Sequence, residues 1–111
     1  MNKWQPLTEV AQLKEIKEAS FKRPQLIFKH SISCGISAHV NHTLQISSEN
    51  LAAETDLHYL DLINYRSVSN EVAVEFGVVH QSPQVLLIKD GKAVYNTSHF
   101  SINPEKILEA V

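Results

Sequence analysis

Cys34 is the residue of this sequence best suited to covalent chemistry. It is the only cysteine among the 111 residues, so the chain can form neither an internal disulfide nor a cysteine-based zinc site of its own. A single thiol can act as a nucleophile when it is held as a thiolate, or it can be a small buried apolar residue without a chemical role. The surroundings of Cys34 in the fold decide between these interpretations.

Histidines are the other residues here that could bind a metal ion. His39 and His42 lie three residues apart, so on a helix they can share a face. Because no carboxylate or third ligand shares their local spacing, we predict solvent-exposed histidines and no metal site. The sequence also has no G-x-G-x-x-G motif, no P-loop and no catalytic serine signature, so we expect no tightly bound cofactor.

Composition and charge narrow the possible partners. The 10 Lys and Arg and 12 Asp and Glu residues are interspersed and give a formal net charge of -2, which predicts no binding to nucleic acid or to an anionic membrane surface. No apolar run reaches the roughly 18 residues of a transmembrane helix, and residues 1–7 lack the apolar core of a signal peptide. We therefore expect residues 1–111 to form a single domain in the cytoplasm.

The elements that position Cys34 follow from the spacing of apolar residues. Thr8 is the predicted N-cap of a first helix, whose apolar residues recur from Val10 to Ile16. Residues 25–30 have the composition of a short strand. Apolar residues then return at four-residue spacing, which predicts a second helix that ends near Ser47: Ile36, Val40 and Leu44. Cys34 is thus predicted to lie where a strand leads into a helix.

The rest of the chain continues the alternation of strands and helices. Residues 57–63 are apolar on both faces, which suits a buried strand of a parallel sheet. Residues 66–76 form a predicted helix that Gly77 can end in the left-handed conformation. The remaining predicted elements are a strand at 84–89, a hairpin turn at Asp90-Gly91, a strand at 92–96 and a helix that begins at Asn103-Pro104.

This order of elements predicts an α/β fold. Helices and strands that alternate in this way give a three-layer sandwich, with a mixed central sheet of about four strands and helices on both faces. In such sheets ligands bind where parallel strands lead into helices. Cys34 lies at one of these strand ends.

Cys34-Gly35-Ile36-Ser37 at a helix start, with Ser82-Pro83 before a later strand, resembles the thioredoxin fold over almost the whole chain. Several separated segments in the same order look more narrowly like the monothiol bacilliredoxin family. Gly35 departs from the family pattern, which usually has proline at this position. The segments are Phe28-Lys29-His30-Ser31, Ser33-Cys34-Gly35-Ile36-Ser37, Tyr59-Leu60-Asp61-Leu62, Arg66, Ser69-Asn70 and His80-Gln81-Ser82-Pro83-Gln84.

The resemblance implies a bacterial oxidoreductase that uses bacillithiol, a low-molecular-weight thiol, as its co-substrate. Cys34 would be the catalytic thiol that removes bacillithiol from mixed disulfides on client proteins. The resemblance places the active-site loop and helix start at Ser33, Gly35, Ile36 and Ser37. It also implies that Ser82 and Pro83 form a cis-proline connection that faces Cys34 and pairs with an extended substrate segment.

Ser37 stands where a dithiol thioredoxin has its resolving cysteine. A hydroxyl can donate a hydrogen bond to a thiolate, but it cannot attack a mixed disulfide. We therefore predict that an adduct on Cys34 waits for an external thiol.

The sequence leaves open the roles of three residues near Cys34. His30 can tune the thiol or can be a polar strand-end residue, and Asp61 can assist proton transfer or can be hydrogen-bonded at a strand end. Arg66 can contact an anionic group, such as the malate carboxylate of bacillithiol. Two alternative functions also stay open: a thioredoxin-like peptide-binding module with a passive Cys34, and a thiol sensor that is modified at Cys34.

Overall fold

One mixed sheet organises residues 3–111, the range that the computed structural model describes. Its strands are β1 (Trp4–Pro6), β2 (Gln25–His30), β3 (Asp56–Asp61), β4 (Gln84–Lys89) and β5 (Lys92–Ser98). Across the sheet they follow the order β1-β3-β2-β4-β5. β3 pairs in parallel with β1 and β2, and β4 pairs antiparallel with β2 and β5. β2 is therefore the central strand.

Helices cover both faces of this sheet. They are α1 (Ala11–Ala19), α2 (Gly35–Ile46), α3 (Ser48–Glu54), α4 (Arg66–Phe76) and α5 (Pro104–Ala110), with a 3-10 turn at His99–Ser101. Buried residues of α2, α3 and α5 share one core with Leu26 and Phe28 of β2. Those of α1 and α4 share the other core with Ile27. The predicted three-layer α/β sandwich with the thioredoxin fold is confirmed.

The sheet has five strands in the described range, not the predicted four, because the short strand β1 was missed. Its three residues are too few to show an alternating pattern, and its position depends on pairing with β3 and on burial of Trp4, which is 4% exposed. α3 was missed as well. The predicted second helix ended near Ser47 with no further helix before the next strand, but burial of Leu51 holds residues 48–54 in a helix against the sheet.

The start of α1 also differs from the prediction. The N-cap residue is Val10, and Thr8 makes no capping contact within the helix. Instead, Oε1 of Gln12 accepts hydrogen bonds from the backbone N–H groups of Thr8 at 2.8 Å and Glu9 at 2.9 Å. A side chain inside the helix thus reaches back to backbone N–H groups of the residues before it, as the glutamine of a capping box does.

Other features agree with the sequence. Gly77 ends α4 in the left-handed conformation with φ 63°, and Asn103 caps α5 by accepting a hydrogen bond from the N–H of Glu105. No helix within residues 3–111 is long and apolar enough to cross a membrane.

Candidate active site

The segments that carry Cys34 and Pro83 meet at one edge of the sheet. Lys29, near the end of β2, pairs with Gln84 at the start of β4. Continued by two residues, that register brings Ser82 level with Ser31. The N–H of Cys34 donates a hydrogen bond to the carbonyl of Ser31 at 3.1 Å, so the loop turns back toward this point. The Ser82-Pro83 peptide bond is cis, as the family resemblance implied.

Cys34 occupies the N-cap position of α2. Its backbone is extended, with φ −108° and ψ 126°, and its carbonyl accepts from the N–H of Ala38 at 3.0 Å. The N–H groups of Gly35, Ile36 and Ser37 donate to no acceptor within residues 3–111. These unpaired donors and the positive end of the helix dipole favour a negative charge on a sulfur at this position. The thiol itself is half-buried, so a substrate can reach it.

The hydroxyl of Ser37 is hydrogen-bonded to residues at the end of β2 and directly after it. Ser37 is completely buried, and its Oγ accepts from the N–H of Ser31 at 2.9 Å and lies 2.7 Å from Nδ1 of His30. Burial lowers the pKa of His30, against the opposing charge of Asp61, and this favours a neutral ring. Within residues 3–111, Ser37 makes no hydrogen bond to the Cys34 thiol.

The side chain of His30 makes no hydrogen bond to the thiol within residues 3–111. Its ring is 6% exposed and lies between aromatic neighbours, with centroids 5.6 Å from Phe28 and 5.7 Å from Tyr59. The only hydrogen bond of its side chain in the described chain goes to Ser37, the third residue after Cys34. His30 can thus influence the loop by fixing Ser37.

Asp61 is hydrogen-bonded at the end of β3. One carboxylate oxygen accepts from the side-chain amide of Asn64 at 2.7 Å, and the other accepts from the backbone N–H of Asn64 at 3.3 Å. Its charge also adds to burial in raising the pKa of Tyr59. These contacts fix the turn between β3 and α4.

Arg66 is exposed at the first position of α4 and makes no hydrogen bond or ion pair with residues 3–111. Nearby lies a lysine that the sequence reasoning missed. Lys29 is fully buried, and its Nζ donates to Nδ1 of His80 at 3.2 Å. The signal was present, since Lys29 interrupts an apolar strand that is buried on both faces. Burial first, and the charge of Arg66 second, lower the pKa of Lys29 to about 8.

His39 and His42 are both exposed on α2, as predicted. The His39 ring lies 6.4 Å from the ring of Phe100, between their centroids. Within residues 3–111, no group of three histidine, cysteine or carboxylate side chains is placed to hold a metal ion.

Comparison with known families agrees with this geometry. The family model described as monothiol bacilliredoxin BrxC matches residues 5–107. The chain belongs to the monothiol bacilliredoxin family. The fold and the family of this bacilliredoxin are those of a thiol–disulfide oxidoreductase, and the position of Cys34 at the start of α2 is consistent with that chemistry.

Solved structures share the fold of this bacilliredoxin. One is described as a candidate oxidoreductase with a thioredoxin fold; it is 27% identical, has a TM-score of 0.83, and the match covers 97% of this chain and 93% of that one. The thioredoxin of Malassezia sympodialis is 15% identical, with a TM-score of 0.75 and coverage of 99% and 89%. The thioredoxin of Fasciola hepatica is 19% identical, with a TM-score of 0.73 and coverage of 95% and 93%.

Proposed function

We propose that this protein removes bacillithiol from mixed disulfides on client proteins, with Cys34 as its catalytic thiol. The observation that carries the proposal is the position of Cys34 at the N-terminus of α2, beside three backbone N–H groups without acceptors. Membership of the monothiol bacilliredoxin family supports bacillithiol as the thiol that is removed. Because Cys34 is the only cysteine of the sequence, the chain offers no second thiol that could resolve a disulfide at Cys34.

The reaction has two balanced exchanges. The Cys34 thiolate attacks the bacillithiol sulfur of the client mixed disulfide, the client–bacillithiol S–S bond breaks, and the client leaves as a thiolate. Cys34 then carries bacillithiol. A second bacillithiol thiolate attacks that adduct, releases Cys34 and forms bacillithiol disulfide. In the net reaction the client sulfur is reduced to a thiol and one free bacillithiol is oxidised, because it joins the bacillithiol taken from the client in a disulfide, so no other electron donor is needed.

Ser82 and Pro83 are the proposed contacts for the client. Ser82 is half-buried and makes no hydrogen bond within residues 3–111, whereas the carbonyl of Pro83 accepts from the N–H of His99 at 3.0 Å. The backbone N–H and C=O of Ser82 are therefore available to an extended client segment, as in strand addition. Ser33 and Gly35 are exposed and Ile36 is half-buried, which leaves the approach to Cys34 open.

Bacillithiolated proteins and free bacillithiol are thus the proposed partners, and the cytoplasm is the proposed setting because reduced low-molecular-weight thiols act there. No tightly bound cofactor enters the proposed reaction. The sulfur atoms of the two substrates and of Cys34 perform all of it.

The test is a multiple-turnover assay with a bacillithiolated client and excess bacillithiol at neutral pH. We expect the wild-type protein and the control Lys22→Gln, which changes an exposed residue before β2, to free many client molecules each, and Cys34→Ala to give the rate of buffer alone. Wild-type protein that matches buffer contradicts the proposal. Client binding without turnover would then indicate a peptide-binding module, and stable bacillithiolation of Cys34 without turnover would indicate a sensor.

A further inference from the structure

A group of basic side chains lies on the face of the sheet opposite α2. Lys29 of β2 is completely buried, and its ammonium group has three N–H donors but one hydrogen-bond partner in the described chain, Nδ1 of His80. Arg66 begins α4, which packs on the same face. We name Lys29, Arg66 and His80 the cationic cluster.

The contact with Lys29 fixes the tautomer of His80. An ammonium group can only donate, so Nδ1 of His80 is the acceptor and the proton of the neutral ring sits on Nε2. Burial and the charges of Lys29 and Arg66 lower the pKa of His80, so the ring is neutral at neutral pH. Its Nε2–H has no acceptor within residues 3–111, and the ring is half-buried, so this donor can meet a ligand.

The cationic cluster lacks a carboxylate. The charge that acts on Lys29 is that of Arg66, and the charges that act on His80 are those of Lys29 and Arg66. All of these charges are positive. Asp61 is bound to Asn64, and its charge acts on His30 and Tyr59. The first turn of α4 contains no acidic residue either. Burying a cation without an anionic partner costs stability, which a bound anion would restore.

The cationic cluster also lies at the edge of the sheet that carries Cys34. Lys29 pairs with Gln84, the residue after Pro83, and α4 starts at the edge where β3 ends, in parallel with β2. His80 precedes Ser82 by two residues, so their Cα atoms are at most about 7 Å apart. A small molecule attached to Cys34 through sulfur therefore lies at the same end of the sheet as His80 and Arg66.

We propose that the cationic cluster binds a carboxylate of the low-molecular-weight thiol that exchanges at Cys34. The guanidinium of Arg66 and the Nε2–H of His80 are the direct donors, and Lys29 supplies positive charge beneath them. This inference rests on the proposed function, because it names how bacillithiol, which carries a malate group, is recognised in that reaction. Arg66 matches a carboxylate with two parallel N–H donors.

The first arm of the test measures the regeneration step. We expect Arg66→Gln to raise the KM for bacillithiol by about tenfold, with little change in kcat, since a lost charge-assisted hydrogen bond is of that size. Arg66→Lys should recover part of the loss. Regeneration by 2-mercaptoethanol, which has no carboxylate, should not change. Lys22→Gln removes an exposed positive charge at the other end of β2 and is the matched control.

Equal KM values for bacillithiol in Arg66→Gln and Lys22→Gln overturn the proposal. An effect confined to the KM for the client also overturns it, because it would mean that the cluster receives an acidic client segment. The second arm needs no turnover: malate is titrated into Cys34→Ala while the NMR signals of the His80 ring are followed. Shifts that Arg66→Gln abolishes support the cluster even if the turnover assay fails, and absent or unchanged shifts overturn it.

Discussion

The hydroxyl of Ser37 lies 2.7 Å from Nδ1 of His30, and both side chains are buried beneath the loop that carries Cys34. The same oxygen accepts from the N–H of Ser31 at 2.9 Å. The residue at the resolving position of a dithiol thioredoxin thus joins the first turn of α2 to the end of β2. Its role is to position the loop, and the chemistry is left to Cys34.

Ser37→Ala should therefore destabilise the fold. It leaves Nδ1 of His30 and the N–H of Ser31 without their partner, and we expect a loss of about 1–3 kcal/mol in the free energy of unfolding. Ser33→Ala, an exposed serine of the same loop with no hydrogen bond in the described chain, should change it by less than about 0.5 kcal/mol. Urea unfolding measures both. Equal stabilities of the two variants would show that the buried contacts contribute little.

Gly35→Pro should stabilise the protein by about 0.4–1 kcal/mol, because proline restricts the unfolded chain. Position 35 is the first of α2, its N–H has no acceptor, and an added Cβ meets no atom within 4 Å. Cys34 already has the extended backbone that precedes proline. The structure therefore has room at position 35 for the proline that the family usually has there.

Gly77→Ala is the contrast for that measurement, since Gly77 has φ 63°. The Gly77→Ala variant should lose about 1 kcal/mol in the free energy of unfolding, because a Cβ is disfavoured in the left-handed region. A thermal melt in which Gly35→Pro unfolds earlier than wild type would contradict the prediction.

Lys29→Met should raise stability at pH 7 by roughly 1–3 kcal/mol, since it removes a buried positive charge without an anionic partner. Its pKa is about 8 in the folded protein, against 10.5 for an ordinary lysine. Between these values the unfolded chain binds a proton that the folded chain has released, so wild-type stability rises with pH from about 8 upward.

Chemical unfolding at pH 7.5 and 9.5 measures this effect. Wild type and the exposed control Lys92→Met should become more stable at the higher pH relative to Lys29→Met. Parallel pH profiles for all three proteins would show that Lys29 titrates normally.

His58 makes the fold sensitive to acid. It is 6% exposed, its Nε2 lies 2.7 Å from Oε1 of Gln25, and burial lowers its pKa from 6.5 to about 4, although Asp56 opposes the shift. As the pH falls from 6.5 to 4, His58 binds a proton in the unfolded chain, whereas it stays neutral in the folded chain. Stability should fall by up to about 3 kcal/mol over this range.

His58→Gln should reduce that fall, whereas His42→Gln, which changes an exposed histidine of α2, should keep it. Unfolding curves at pH 7 and 5 provide the comparison. The same acid dependence in all three proteins would assign it to other groups.

Long periodic elements were predictable because their spacing alone determines the buried face. The Ile36, Val40 and Leu44 spacing gave α2, and Gly77 gave the end of α4. β1 was not predictable in this way, because a three-residue strand exists only through its partner β3. The segment at Ser48 similarly depends on a long-range contact, the burial of Leu51.

At the site, the sequence located Cys34 and the cis bond before Pro83 through the family resemblance. It did not reveal that Ser37 faces His30, because the direction of a hydroxyl depends on neighbours that only the fold brings together. Lys29 and His80 are 51 residues apart along the chain, and their contact arises from the pairing of β2 with β4.

The most direct test of the central claim is a single turnover without free bacillithiol. Equal amounts of the protein and a bacillithiolated client are mixed at neutral pH, quenched with acid and analysed by mass spectrometry. We predict that the client loses its bacillithiol while the protein gains one, attached to Cys34, and that Cys34→Ala does neither. Release of the client thiol with no adduct at Cys34, or no release at all, would contradict the account.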